Sequence, residues 1–279
     1  MALALTEEDT SRVVQTASGK IHYNEAGEGH PVIMLHGSGP GATGWSNFGP
    51  NLKVLAEKYR VLALDMPGWG KSDTVSAAER DHVTAALHFM DELGLEKATF
   101  VGNSMGGATT LGFAIAHPER MSHLITMGAG SGTSTMLFGA GDGPTEGLKI
   151  LQQGYRDPSP ETMRLLVDIM TYDSSSLTDE LARQRSASAR SRPDHVANFL
   201  AGLGQPRKHI ADAELAGLPM PALLVHGRDD RVVHYEHGLR LVSLIPNSRL
   251  VLFNRCGHWA QLEHAAEFNR LVDQFISAN

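Results

Sequence analysis

Short apolar runs alternate with longer segments of helical periodicity along most of this 279-residue sequence, and this alternation restricts the fold more than any other feature. Runs of this kind are typical of parallel strands that helices cover on both faces. Eight predicted strands are Val13–Thr16, Ile21–Asn24, Pro31–Leu35, Tyr59–Leu64, Ala98–Val101, Ile125–Met127, Met220–Val225 and Arg249–Phe253. Predicted helices are Trp45–Lys58, Ala77–Leu93, Ala108–His117, Tyr235–Leu244 and Ala265–Ile276. The pattern predicts an α/β fold with a mostly parallel sheet, whose first two strands form an antiparallel hairpin.

The alternation stops at Gly128 and resumes near Met220. Between these points we find no run with the character of a strand, but Glu161–Tyr172 and Leu177–Arg192 are amphipathic and predict helices. A helical insertion in the sheet domain is therefore expected. It divides the chain into a first core segment at residues 1–131, a helical cap at 132–208 and a second core segment at 209–279.

Charge and cysteine content argue against several classes of protein. A formal net charge of -7 and an isoelectric point near 6.0 leave no basic face for nucleic acid or an anionic membrane. The one cysteine, Cys256, excludes an internal disulfide and a thiolate metal cluster, and it is typical of a reducing compartment. Neither a signal peptide nor an apolar run of the ~18 residues that a membrane span needs is visible. We expect a cytoplasmic protein with a small-molecule partner.

The segment Gly102–Gly106 reads G-x-S-x-G and lies between a predicted strand and a predicted helix. In this context the motif predicts a sharp turn that exposes the hydroxyl of Ser104 at the edge of the sheet. The helix that follows points its first N–H groups toward negative charge beside that serine. The alternative is a tight turn with an inert serine, since a pentapeptide of this composition also arises by chance.

Two later residues stand where a serine nucleophile would need its partners. Chain order Ser, then acid, then His, each after a strand, is typical of one arrangement of the catalytic triad. Asp230 follows the strand that ends at Val225, and His258 follows the strand that ends at Phe253. Asp229 is the competing acid. We predict Ser104 as nucleophile, His258 as base and Asp230 as the carboxylate that orients it.

The glycine-rich loop after Pro31–Leu35 predicts the second half of an oxyanion hole, because acyl chemistry needs two N–H donors. We assign these donors to the backbone N–H groups of Ser38 and Met105. Residues 39–44 also read G-x-G-x-x-G, with Asp65 placed like a ribose-binding acid, which is the signature of a dinucleotide site. Pro40 removes an N–H that a pyrophosphate would need, so no cofactor is predicted.

A metal is not predicted either. His234 and His237 with Glu236 between them do not have the spacing of a zinc-protease helix.

Taken together, the strand order, the elbow, the late acid and histidine and the insertion resemble the α/β-hydrolase fold with a cap domain. Three stretches resemble the meta-cleavage product hydrolases more closely: 36–47 (HGSGPGATGWSN), 102–107 (GNSMGG) and 256–264 (CGHWAQLEH), the last supported by Glu267–Asn269. Members of this family hydrolyse a carbon–carbon bond in 2-hydroxy-6-oxohexa-2,4-dienoates, the ring-fission products of aromatic degradation. Ser38 departs from the glycine that many members carry.

The resemblance implies four substrate-binding residues. Arg185 matches the cap arginine that binds the substrate carboxylate, and a guanidinium suits a bidentate anion contact. Asn47 and Asn103 match positions that hydrogen-bond the dienoate oxygens, and Trp259 matches a residue that lines the pocket. The structural alternatives are a solvated arginine, a capping asparagine, turn chemistry and core packing, in that order.

The mechanism that the resemblance implies has two stages and no cofactor. The dienol is first ketonised at carbon 5, which creates an electron sink, and Ser104 then attacks the carbon 6 ketone. Cleavage yields 2-hydroxypenta-2,4-dienoate and, through an acyl-enzyme or through serine-activated water, a carboxylic acid. Family members also associate as dimers or larger homo-oligomers.

Two alternatives remain at this point, a carboxylesterase on the same fold and a non-catalytic receptor of that fold. The substituent on carbon 6 is open as well. Candidates for lining its pocket are Leu137, Phe138, Ile150, Met163, Met170 and Val232.

Overall fold

Eight strands form one sheet in the structure, a computed structural model that describes residues 5–130, 144–176, 179–205 and 209–279. The strands are β1 (Ser11–Thr16), β2 (Gly19–Ala26), β3 (Pro31–Leu35), β4 (Arg60–Leu64), β5 (Ala98–Asn103), β6 (Met121–Met127), β7 (Ala222–Gly227) and β8 (Ser248–Phe253). Their order across the sheet is β1-β2-β4-β3-β5-β6-β7-β8. β2 pairs antiparallel with β1 and β4, and the other pairs are parallel. The predicted mostly parallel sheet with a hairpin at one edge is confirmed.

The helices connect these strands and cover both faces of the sheet. They are α1 (Glu7–Thr10), α2 (Gly44–Leu55), α3 (His82–Glu92), α4 (Met105–Ala116), α5 (Glu146–Arg156), α6 (Pro160–Met170), α7 (Asp179–Ser191), α8 (Pro193–Ala201), α9 (Asp212–Ala216), α10 (Glu236–Leu244), α11 (Ala260–Glu263) and α12 (Ala265–Ala278). Single 3₁₀ turns lie at Pro118–Arg120 and Ser174–Ser176. Within the described ranges, no helix combines the length and the apolar character needed to cross a membrane.

Two helix boundaries differ from the sequence prediction for local reasons. α3 begins at His82 rather than Ala77, because the carboxylate of Asp81 accepts the N–H groups of Val83 and Thr84 and so caps the helix there. α4 begins at Met105, directly after the elbow, rather than at Ala108. The prediction also missed the four-residue helices α1 and α11, and it missed α5, α8 and α9, which lie in the insertion or just after it.

The side chains of the central strands point alternately into two hydrophobic cores, one on each face of the sheet. On β3, Ile33 and Leu35 enter the first core, and Val32 and Met34 enter the second. The first core is completed by α3, α4 and α10, and the second by α2 and α12. Burial on both faces explains why the strand sequence is continuously apolar.

A third core joins the helices between β6 and β7 to the loops of the sheet domain. Its buried members are Leu151, Tyr155, Met163, Leu166, Val167, Ile169, Met170, Ala182 and Ala189 from the insertion and Val232 and Trp259 from loops that follow β7 and β8. Because the parallel strands end at one edge of the sheet, this packing places α5, α6 and α7 over that edge.

The buried carboxylate of Asp65, directly after β4, joins several elements near this edge. Its Oδ2 accepts a hydrogen bond from the Lys71 N–H and lies 2.8 Å from His22 Nδ1, and its Oδ1 accepts the N–H of Gly44, the first residue of α2. His22 Nε2 in turn lies 2.8 Å from Ser11 Oγ. With both oxygens buried in these contacts, Asp65 is not available to a ribose.

We expect Asp65→Asn to lower the free energy of unfolding by about 2–4 kcal/mol, because it replaces a buried carboxylate that is hydrogen-bonded to His22 and to the N–H groups of Gly44 and Lys71. Burial alone would raise the pKa of Asp65, but hydrogen bonding to His22, the charge of His22 and the Lys71 N–H outweigh it and lower that pKa. The stabilisation is therefore fully present above the unfolded pKa of about 4 and is lost as the pH falls through the lower folded value. Urea unfolding of both proteins between neutral pH and pH 3 measures this.

Asp91→Asn is the matched control, because Asp91 forms a half-exposed ion pair with Arg120. Its loss is expected to leave stability nearly unchanged. An equal effect of the two substitutions would contradict the role given to Asp65.

Candidate active site

Ser104 occupies a strained turn between β5 and α4. Its backbone has φ 54° and ψ -112°, a conformation that costs a non-glycine residue about 1–2 kcal/mol. The turn is possible because its flanking residues are glycines. A methyl group added at Gly106 would lie 2.0 Å from the Leu35 carbonyl oxygen, and one at Gly102 would lie 2.3 Å from the Gly106 carbonyl oxygen. The sequence motif thus folds as a nucleophile elbow, with a half-buried Ser104 at the tip.

The loops after β7 and β8 bring an acid and a histidine together. Asp230 Oδ2 lies 2.7 Å from His258 Nδ1, while Asp230 Oδ1 accepts the N–H groups of Val232 and Val233. His226 Nε2 lies 3.4 Å from the same Oδ2. Burial alone would raise the pKa of Asp230, but the charge of His258 and the hydrogen bonds of both histidines hold it well below its usual range.

Asp229, the competing acid, instead pairs with Arg228 at the surface. The structure therefore places Asp230 and not Asp229 against the histidine.

Ser104 and His258 line the same pocket. Among the hydrogen bonds that the described residues form, none joins the Ser104 hydroxyl to the imidazole. A serine hydroxyl turns about a single side-chain torsion, and hydrogen bonds of this kind often close only when substrate is bound. The pocket that Ser104 and His258 share is the structural observation on which the predicted proton transfer between them rests.

Two backbone N–H groups beside Ser104 match the predicted oxyanion donors. The Ser38 N–H belongs to the loop after β3, which lines the pocket through Gly37, Ser38 and Gly39. The Met105 N–H is the first of α4, and the Met105 side chain is not part of the pocket lining. Within the described part of the chain, neither N–H is used in a hydrogen bond. Both remain available to an oxyanion.

Arg185 projects from α7 into the pocket and is 1% exposed. No described residue accepts a hydrogen bond from its Nε, Nη1 or Nη2, and burial lowers its pKa to about 10. Its guanidinium lies 4.5 Å from the ring centroid of Trp259, a cation–π contact that offsets only part of the desolvation. A buried cation without an anion is costly, so the chemistry of this arrangement suits an anionic group that pairs with the guanidinium.

Both predicted asparagines line the same pocket with a free acceptor. Asn103 donates from Nδ2 to the carbonyl oxygens of Met127 and His258, at 3.4 and 3.3 Å, and its Oδ1 is buried with no partner among the described residues. Asn47, on α2, is 1% exposed and its Oδ1 is likewise unpaired there. These oxygens are placed to accept hydrogen bonds from a hydroxyl group of a ligand.

The pocket brings together most of the residues singled out from the sequence. Its lining consists of Gly37, Ser38, Gly39, Ala42, Asn47, Asn103, Ser104, Leu151, Met170, Arg185, His258 and Trp259. Of the candidates for the carbon 6 substituent, Met170 lines it, Ile150, Met163 and Val232 do not, and Leu137 and Phe138 lie outside the described residues. Leu151 was missed together with α5, although Leu148, Leu151 and Tyr155 recur at helical spacing.

The described side chains include no group of three or more His, Cys, Asp or Glu arranged around a possible metal position.

The sheet order, the strained elbow and the acid–histidine pair define an α/β-hydrolase. A family model described as alpha/beta hydrolase fold matches residues 30–265.

Comparison with individual proteins identifies a family within the α/β-hydrolases. The 2-hydroxy-6-oxononadienedioate/2-hydroxy-6-oxononatrienedioate hydrolase of Cupriavidus pinatubonensis is 45% identical over 98% of this chain and 97% of its own. A variant of the meta-cleavage product hydrolase from Pseudomonas fluorescens IP01, solved with acetate, has a TM-score of 0.85 at 37% identity and covers 96% of this chain and 98% of its own. The 2-hydroxy-6-oxo-6-phenylhexa-2,4-dienoate hydrolase of Rhodococcus sp. strain RHA1 has a TM-score of 0.82 at 30% identity, with 96% and 100% covered. The chain belongs to the meta-cleavage product hydrolases.

Gly128→Ala is expected to lower kcat by about 10-fold or more, because misplacing catalytic groups by a fraction of an ångström is costly. A methyl group at Gly128 would lie 2.7 Å from His258 Nδ1 and 3.3 Å from Asp230 Oδ2, so it would press the two apart. Steady-state kinetics on a turnover substrate measure the effect.

Gly94→Ala is the control. Gly94 has φ +63°, close to the +55° of Gly128, but a methyl group there would meet nothing within 4 Å. Both substitutions should lower the free energy of unfolding, because alanine is strained at positive φ. Only Gly128→Ala is expected to lose activity. Equal activity of the two would contradict the described geometry.

Proposed function

We propose that this protein hydrolyses a carbon–carbon bond in 2-hydroxy-6-oxohexa-2,4-dienoate ring-fission products of aromatic degradation, giving 2-hydroxypenta-2,4-dienoate and a carboxylic acid. The observation that carries this proposal is the buried, unpaired guanidinium of Arg185 in the same pocket as Ser104 and His258. Such a pocket suits a substrate with a carboxylate at one end and an electrophilic carbon at the other. Relatives at 42–45% identity carry names of this activity.

Substrate binding uses the three polar groups that the pocket leaves unpaired. The carboxylate lies against Arg185, whose guanidinium offers a bidentate contact. The 2-hydroxyl donates to the free oxygen of Asn103 or Asn47. Trp259 stacks on the guanidinium and keeps water away from the ion pair. Held at this end, the dienol presents carbon 6 to the elbow.

Cleavage then follows ketonisation at carbon 5, which places an electron sink beside the bond that breaks. His258 accepts the proton of Ser104, and Asp230 fixes the tautomer and orientation of the imidazole. Ser104 attacks carbon 6, or activates the water that does so, and the oxyanion accepts hydrogen bonds from the N–H groups of Ser38 and Met105. The electrons of the broken bond pass into the dienoate, and water completes release of the acid.

The carboxylesterase alternative uses the same serine, histidine and acid, but it does not require Arg185. An ester substrate needs no anion site. Burial of the guanidinium would then destabilise the protein, and no interaction with the substrate would offset this. A receptor needs neither the strain at Ser104 nor the two free N–H groups.

The helices α5 to α8, which follow β6, are proposed as the cap, with boundaries at residues 132 and 208. Arg185 from α7 and Leu151 from α5 reach the pocket from this segment, which supports the assignment.

We also propose action in the cytoplasm and association as a homo-oligomer, dimer or larger. β8 is the last strand of the sheet and exposes Leu252, an edge on which a second copy can pair. Analytical ultracentrifugation tests the association.

The first experiment follows decay of the substrate's visible absorbance. The panel contains the nonadienedioate after which the relatives are named and dienoates with methyl and phenyl on carbon 6. We expect the nonadienedioate to have the highest kcat/KM, since relatives at 42–45% identity carry its name. Absence of turnover with every member would contradict the proposed function.

Ser104→Ala is expected to lower kcat by at least about 10³-fold, because the nucleophile or proton relay is lost. Ser11→Ala is an unusually close control. Ser11 Oγ, His22 and Asp65 also form a Ser–His–Asp chain, with 2.8 Å at each contact, but it lies at the hairpin edge of the sheet. Turnover should be unchanged in Ser11→Ala, and unchanged turnover in Ser104→Ala would exclude the assigned role.

Arg185→Met tests the anion site, and we expect two opposite effects. The kcat/KM for the dienoate should fall by about 10- to 100-fold, because charge-assisted hydrogen bonds to the carboxylate are lost. The free energy of unfolding should rise, because a buried uncompensated charge is replaced by an apolar chain of similar length. Acetate should raise the Tm of the wild type and not that of Arg185→Met.

The matched control is Arg183→Met, on the same helix. Arg183 is exposed and paired with Glu180, so its replacement should change neither quantity. A loss of stability in Arg185→Met together with retained kcat/KM would mean that Arg185 only packs.

A further inference from the structure

The proposed mechanism leaves unused a buried tyrosine that crosses from the insertion to the oxyanion loop. Tyr155, on α5, is 3% exposed and its hydroxyl lies 2.7 Å from the carbonyl oxygen of Ser38. We propose that Tyr155 is a positioning residue that orients the oxyanion donor of Ser38, so that docking of the helical insertion completes the oxyanion hole. This inference rests on the proposed function, which requires that hole.

The direction of the Ser38 N–H depends on the two peptide planes that meet at Ser38, because each plane is rigid and only two torsions join them. The first plane contains the Gly37 carbonyl and the Ser38 N–H. His36 Nδ1 donates to that carbonyl at 2.7 Å, while His36 Nε2 accepts the N–H of Met66 at 2.9 Å. Burial lowers the pKa of His36 to about 4, so the ring stays neutral and keeps this donor and acceptor pattern at neutral pH.

The second plane contains the Ser38 carbonyl, and here the contact comes from Tyr155. The direction of the hydrogen bonds is fixed by chemistry. The indole N–H of Trp69 can only donate, and it does so to the tyrosine oxygen at 2.9 Å. The hydroxyl must therefore donate onward to the Ser38 carbonyl, which can only accept. A chain of this kind polarises each of its members and strengthens the last bond.

Packing keeps the tyrosine hydroxyl in this position. The Tyr155 ring stacks on Phe199 of α8 with centroids 3.7 Å apart and planes 7° from parallel. Phe199 also meets the Trp69 ring edge-on. Burial raises the pKa of Tyr155, so the hydroxyl remains a donor across the pH range of the enzyme.

Both planes at Ser38 are thus held by side chains, but from different parts of the molecule. His36 precedes the loop itself, whereas Tyr155 belongs to the segment between β6 and β7. If α5 moves away from the sheet domain, the second plane is released and the Ser38 N–H loses its fixed direction. The geometry therefore couples the position of the insertion to the strength of the oxyanion hole, since preorganised donors stabilise the transition state more than mobile ones.

The test compares Tyr155→Phe with Tyr59→Phe. The first removes only the oxygen that contacts Ser38. The second removes a hydroxyl bonded to Asp273 and Ser277, none of which lines the pocket, and so controls for loss of stability. We expect Tyr155→Phe to lower kcat by about 10-fold with little change in KM, a part of the 10²–10³-fold lost when an oxyanion donor is removed. Tyr59→Phe should leave kcat unchanged.

A binding measurement separates positioning from general loosening. A boronic acid that adds to Ser104 forms a B–O bond as the hydroxyl proton passes to His258, and one oxygen of the resulting tetrahedral anion occupies the oxyanion hole. Acetate cannot form this adduct and is expected at Arg185. The inhibition constant of the boronic acid should rise by about the same factor as kcat falls in Tyr155→Phe, and acetate affinity should not change.

Equal boronic acid affinity in Tyr155→Phe and the wild type would overturn the inference. So would a parallel loss of boronic acid and acetate affinity, or the same loss in Tyr59→Phe, since either indicates a general structural effect. Failure of the wild type to cleave any dienoate would contradict the proposed function instead, and the boronic acid measurement would still decide the role of Tyr155.

Discussion

The buried charge of Arg185 is the constraint on which the rest of the site depends. Removing a guanidinium from water without an anion costs several kcal/mol, and a contact with the face of Trp259 returns only about 1–2 of them. The remaining cost must be met by apolar packing around it. The third core contains Met163, Leu166 and Val167 of α6, together with Ala182 and Ala189 of α7 and the Trp259 ring that contacts the guanidinium. The insertion therefore contributes both the buried cation and an apolar core of its own to this side of the pocket.

The same insertion is hydrogen-bonded to three of the loops that carry site residues, namely those with Ser38, Asp230 and His258. Met170, the last residue of α6, accepts the N–H of His258 through its carbonyl oxygen at 2.7 Å. Glu263 accepts the N–H groups of Gly257 and Tyr172, and Arg231 donates to the Thr171 carbonyl beside the acid loop. Burial raises the pKa of Glu263, against the effect of these N–H donors. Together with the tyrosine that reaches Ser38, these contacts tie the three loops to one body. A change in the position of the insertion would therefore alter the contacts of the His258 loop, the Asp230 loop and the oxyanion loop together.

The sequence predicted the sheet and the positions of Ser104, Asp230 and His258 because each follows a strand, and strand ends are the most regular points of such a fold. Asp230 rather than Asp229 was chosen because the family pattern places the acid three residues after the glycine that ends the strand, and the structure places Asp230 against His258. Long-range contacts have no such signal. Nothing near Tyr155 in the sequence indicates that its hydroxyl meets Ser38, 117 residues away. Arg185 differs from Arg183 only in which side of α7 it occupies, and the mean composition of that helix is too polar for its buried side to be evident. Resemblance to a family, not periodicity, singled it out.

The contrast between two Ser–His–Asp chains in this molecule shows what such a motif requires beyond distances. Ser11, His22 and Asp65 are connected by contacts of 2.8 Å, and both His22 and Asp65 are buried. Yet Ser11 is at the C-terminal end of α1, and its own N–H is bonded to the Glu8 carbonyl. Carbonyl oxygens rather than N–H groups face that end of a helix, and they repel a developing oxyanion. Ser104 stands at the opposite end of a helix, in a strained turn beside two free N–H groups and a buried cation. The chemistry thus depends on which backbone groups, N–H or C=O, surround the serine. The identities of the three side chains alone do not specify this.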